Sequence, residues 1–79
     1  MKWFDMTSKR ANILHQLYRK TGLDLADFMD KTDLSFKELE VNMSGRCGSI
    51  SERELKGFAK GFDMNVEELL TYLELSDFF

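Results

Sequence analysis

Four candidate helix starts along this chain carry a short polar residue three places ahead of an acid: Asp24 before Asp27, Ser35 before Glu38, Ser51 before Glu54, and Asn65 before Glu68. Each pair precedes apolar residues at helical spacing, and this pattern constrains the fold more than any other. The polar side chain accepts from a free backbone N–H in the first turn, while an acid of glutamate length reaches back to the cap's own N–H. Ser35-Phe36-Lys37-Glu38 and Ser51-Glu52-Arg53-Glu54 have the full capping-box form; Asn65 with Glu68 is a weaker version. Each cap contributes about 1 kcal/mol and fixes the register of the helix it opens. The starts lie too close together for long helices, so the chain is expected to be divided into short ones.

The periodicity agrees. Ile13, Leu14, Leu17 and Tyr18 form one helical stripe, and Gly22 follows Arg19-Lys20-Thr21 as a helix stop. The first helix is therefore expected from about Thr7 to Thr21. Leu55, Phe58, Ala59 and Phe62 repeat at i, i+3, i+4, i+7, as do Val66, Leu69, Leu70 and Leu73. Thr32-Asp33-Leu34 and Asp63-Met64 are short links that force steep packing, and Gly45-Arg46-Cys47-Gly48-Ser49 is the one real loop. The chain contains no proline. The expected fold is all-α, a single domain over residues 1–79 with about five helices. Leu14, Leu17, Phe28, Leu55, Phe58, Leu69 and Leu70 are expected at its core.

A chain of 79 residues supports one core, worth roughly 3–5 kcal/mol of net stability at this size. Cys47 is the only cysteine, so no disulfide framework assists it. The opening Met1-Lys2-Trp3-Phe4-Asp5 places an acid where a signal peptide carries its apolar run, and no apolar stretch approaches bilayer length. A soluble, cytoplasmic protein with no membrane association is expected. The net charge of −3 is uneven. Lys2, Lys9, Arg10, Arg19 and Lys20 face only Asp5 within the first 20 residues, whereas every charge after Phe62 is negative. Overall acidity counts against a nucleic-acid partner, and the basic first helix counts for one.

From Gly22 to Leu70 the chain resembles the phage-repressor-like (Xre-type) helix-turn-helix domain. Gly22-Leu23-Asp24 is similar to the opening of that family's second helix, and Phe28-Met29 to its paired apolar positions. Leu34-Ser35 resembles the turn before the recognition helix, Leu39 its buried aliphatic, and Gly45 the glycine that ends it. Leu55-Lys56-Gly57-Phe58-Ala59-Lys60 followed by Met64-Asn65-Val66-Glu67-Glu68-Leu69-Leu70 is the most specific stretch. It looks like the fourth helix turning tightly into a capped fifth. The resemblance implies a compact five-helix, lambda-repressor-like fold with the helix-turn-helix unit at about residues 24–44. It also implies a small DNA-binding transcriptional regulator of repressor type, of bacterial or mobile-element origin. Its third helix would lie in the major groove. Ser35, Phe36, Lys37, Glu40 and Val41 then fall on the contact face, with Arg46 just past it, and Lys9 and Arg10 are candidate phosphate contacts. The chain departs from the family in three respects. Leu25 stands where a phosphate-touching glutamine is usual, Asn42 where a second aliphatic is buried, and Glu38 and Glu40 bring carboxylates to the groove face.

Those departures keep a second function class open, a protein-interaction module or inhibitor that retains the fold and binds a protein through the same face. Phe36 would be its anchor. A stripe of Phe36, Leu39 and Met43 would bury Phe36, whereas the family alignment buries Leu39 and Asn42 and leaves Phe36 partly exposed; we adopt the latter. Trp3-Phe4 and Leu75-Phe78-Phe79 place large apolar groups at both ends, either packed together or forming a contact patch. The apolar C-terminal end is a candidate homodimer surface. His15 reads as a surface residue, Cys47 as an incidental thiol, and Glu67-Glu68 as acids favouring a helix N-terminus. No nucleophile–base pair, metal cluster or phosphate loop is recognisable, so no enzymatic activity, metal or cofactor is expected.

Overall fold

Every helix start that the caps predict is present in the structure, a computed structural model that describes residues 3–45 and 48–74. The elements are β1 (Trp3–Asp5), α1 (Ser8–Thr21), α2 (Leu25–Thr32), α3 (Phe36–Ser44), β2 (Ser49–Ser51), α4 (Glu52–Gly61) and α5 (Val66–Tyr72). Thr7 caps α1 by accepting from the Arg10 N–H, and Asp24 caps α2 by accepting from that of Asp27. Ser35, Ser51 and Asn65 each form a reciprocal capping box, with Glu38, Glu54 and Glu68 respectively. Gly22 and Gly45 end α1 and α3 in the left-handed conformation that favours glycine.

The fold is mostly helical, but the all-α expectation needs one correction. Trp3–Asp5 and Ser49–Ser51 form a two-stranded antiparallel sheet in which Phe4 lies opposite Ile50. Both of these side chains are buried, while Trp3 beside Phe4 is 57% exposed. Three-residue strands are too short to show an alternating pattern, and their pairing partners are far apart along the chain, so no local signal announced them. Trp3 and Phe4 therefore separate, one outward and one into the core. Leu75, Phe78 and Phe79, the expected homodimer end, lie outside the described residues.

α1 packs on α3, α2 on α4, and α4 on both α5 and β2. The α2–α4 contact is close because α4 presents glycines to it. A Cβ on Gly61 would lie 2.5 Å from the Thr32 methyl and 2.7 Å from the Phe28 ring, and one on Gly57 would lie 2.9 Å from the Thr32 carbonyl oxygen. Leu14, Phe28, Leu39, Ile50, Leu55, Phe58, Leu69 and Leu73 are fully enclosed. Leu17, expected among them, is only half-buried, packed against the rim of the core. Phe28 sits at the centre of an aromatic cluster. Tyr18 meets it edge-on at 4.8 Å, and Phe62 stacks on it at 5.5 Å.

Candidate functional site

The exposed face of α3 is set by its cap. The Ser35–Glu38 box fixes the first turn, with Ser35 Oγ accepting from the Glu38 N–H and Glu38 Oε1 accepting from the Ser35 N–H, each at 3.1 Å. The helix then turns Leu39 and Asn42 into the core and leaves Phe36, Lys37 and Glu40 outside. Phe36 is 49% exposed, so the register with Leu39 and Asn42 inward holds, and the Phe36–Leu39–Met43 core stripe does not. Val41 is half-buried.

Phe36 and Glu40 line an open groove of about 360 Å³, together with His15 and Tyr18 of α1, Leu25 of α2, and Met43 and Ser44 of α3. The walls are mostly apolar. Leu25, at the first position of α2, contributes hydrocarbon to them. His15, read as a surface residue, is half-buried in this groove, its ring 6.3 Å from that of Tyr18.

The remaining candidate residues lie elsewhere. The Arg10 guanidinium donates to three backbone carbonyls: Nε to Leu73 at 2.9 Å, one terminal nitrogen to Asp5 at 2.9 Å, and the other to Glu74 at 3.4 Å. Lys9 pairs with the Glu74 carboxylate at 3.3 Å. Both bases, read as phosphate contacts, are thus drawn to the end of α5. Arg46 lies outside the described residues, as does Cys47. Lys37 is exposed on α3. Glu38 is held by Arg53 of α4. The Ser35 N–H holds the Glu38 carboxyl below its ordinary range, the Ser35 hydroxyl and Arg53 act in the same direction, and partial burial opposes them.

Two features of this region carry no local sequence signal. Asn42, 1% exposed, donates from Nδ2 to the Glu38 carbonyl at 2.8 Å and to Glu54 Oε2 at 2.6 Å. The other oxygen of Glu54 accepts from the Ser51 N–H at 3.1 Å and the Ser51 hydroxyl at 2.8 Å. One carboxylate therefore closes the α4 box and also accepts from the buried Asn42 Nδ2 of α3, while Asn42 Oδ1 has no hydrogen-bond partner among the described residues. Arg53 meeting Glu38 is the second feature, a cross-helix ion pair beside the α3 cap.

Among the described residues no group of three or more His, Cys, Asp or Glu is placed to hold a metal ion, and no helix is long and apolar enough to cross a membrane. No protein-family model, curated protein or solved structure matches this chain.

Proposed function

We propose that this chain is a small regulatory module of lambda-repressor-like, helix-turn-helix architecture whose α3 face docks on a protein partner. The observation that carries the reading is the groove itself, an apolar concavity with a half-exposed phenylalanine where a DNA reader needs hydrogen-bond donors. Buried aromatics dominate interface energies. Phe36 and Leu25 offer no hydrogen bonds to base edges or phosphate, and Glu40 on the same face repels the DNA backbone.

DNA binding is the second reading. The short turn between α2 and α3 and the exposed Lys37 support it, and the Arg53 partner removes much of the repulsion from Glu38. A photo-crosslinking residue at Val41, expressed in the cell of origin, discriminates between the two. The docking reading expects a discrete protein adduct whose yield falls at least about tenfold with Phe36→Ala, a loss of the size seen at interface anchors. Titration with mixed duplex DNA at low salt should show no association, for wild type or for Glu40→Lys. Salt-dependent DNA binding by the wild type, weakened by Lys37→Ala with a slope lower by about one unit, would establish the second reading instead.

A further inference from the structure

On a different side of the molecule, α1, α2 and the α4–α5 turn enclose a second opening of about 490 Å³, lined by Leu17, Lys20, Thr21, Leu23, Lys31, Phe62, Asp63 and Met64. We propose that this cleft binds a small organic monocarboxylate with a compact apolar body, such as a branched-chain or aryl-substituted acid. The inference is independent of what the α3 face recognises.

The cleft has the size range of small-molecule sites, and its lining is divided between four apolar side chains and the polar groups of Lys20, Thr21, Lys31 and Asp63. Leu17, Leu23, Phe62 and Met64 are half-buried and packed against the core, so they supply apolar surface that is already positioned. Phe62 is fixed on one side by its stack on Phe28.

The polar groups of the cleft select the charge. Thr21 Oγ1 is occupied, donating to the Tyr18 carbonyl at 2.6 Å and accepting from the Leu23 N–H at 3.1 Å. Lys31 is answered by Asp63 at 2.8 Å. Lys20, exposed in the last turn of α1, has no carboxylate within ion-pairing distance among the described residues, which leaves one positive charge at the rim without a side-chain counterion. A single carboxylate balances that charge. A doubly charged phosphate would exceed it and meet Asp63 as well, and a neutral amide would leave the ammonium unanswered.

The test is a titration of the full chain followed by amide chemical shifts, with phenylacetate and 4-methylpentanoate as probes and phenylacetamide and inorganic phosphate as controls. The expected result is saturable shifts confined to residues 17–23, 31 and 62–64. The Kd should be on the order of 1 mM, which about ten heavy atoms in an open cleft support. Phenylacetamide should bind about fivefold more weakly, and Lys20→Gln should remove that preference while leaving the thermal melt unchanged, since an exposed ion pair contributes at most about that factor. The proposal is overturned by the absence of saturable shifts at about tenfold the expected Kd, by equal binding of acid and amide, or by inorganic phosphate competing at the same residues. Shifts confined to His15, Phe36 and Met43 would place the ligand in the α3 groove and equally reject this cleft.

Discussion

Glu54 shows how much a single side chain can be asked to do in a small domain. At the same position of its own box, Glu68 only closes the cap of α5. Glu54 closes the cap of α4 and also accepts from Asn42, whose amide is enclosed by the core. Removing Glu54 strands a buried donor as well as a cap, and an unsatisfied buried group costs about 1–3 kcal/mol beyond the cap itself. Glu54→Ala is therefore expected to destabilise by about 2–4 kcal/mol in urea denaturation, against about 1 kcal/mol or less for Glu68→Ala. Equal losses would mean that Asn42 finds another partner. Asn42→Leu in the Glu54→Ala background should recover part of the loss, because a buried amide left with the Glu38 carbonyl alone as acceptor is then replaced by hydrocarbon.

At the scale of elements, the cap of α3 carries a pH dependence. The Glu38 carboxyl titrates below its ordinary value in the folded protein, chiefly through the Ser35 N–H. A depressed folded value means a stabilisation fully present above the unfolded pKa and lost as pH falls through the folded one. The expected outcome is a lower melting temperature in that acid window and a flatter profile there for Glu38→Gln, which is less stable at neutral pH. A profile unchanged by Glu38→Gln would place the acid sensitivity elsewhere. The elements are also where the sequence was most and least informative. Ser35, Ser51 and Asn65 announce their helices because a cap and its acid are three residues apart and act within one turn. Phe4 and Ile50, Asn42 and Glu54, and Arg10 and Leu73 are joined only in three dimensions, so neither strand nor staple had a local signature. The exposed edge of the candidate site was legible for a related reason. Phe36 is left outside once Leu39 and Asn42 are turned inward, whereas the contribution of Tyr18 and His15 to the groove depends on how α1 lies against α3.

For the whole molecule, Arg10 is the closure. α5 has no basic residue in its last turn, and its terminal carbonyls are met instead by a guanidinium from α1, which also holds the end of β1. Hydrogen bonds from charged donors are worth about 1.5–3 kcal/mol when partly buried. Arg10→Met is accordingly expected to lower stability by about 2–3 kcal/mol, and Arg10→Lys to recover little, since an ammonium lacks the planar fork that reaches several carbonyls at once. Lys9→Ala, which breaks only an exposed pair, should change stability by less than about 1 kcal/mol. A tolerant Arg10→Met would show that α5 is seated by Leu69, Leu70 and Leu73 alone.

The pairing of Phe4 with Ile50, and the bond from Arg10 to Leu73 across 63 positions, also bear on how the chain reaches its native state. Most helical domains of this length close through neighbours and fold in microseconds to milliseconds, because little loop entropy is lost before contacts form. Here the first strand finds no partner until β2 has formed, and α1 is not locked until α5 arrives. The search is therefore long-range although the elements are local, and the rate should lie nearer that of mixed α/β domains than of helical hairpins. The same closure leaves no half of the chain with a core of its own, so the transition is expected to be all-or-none.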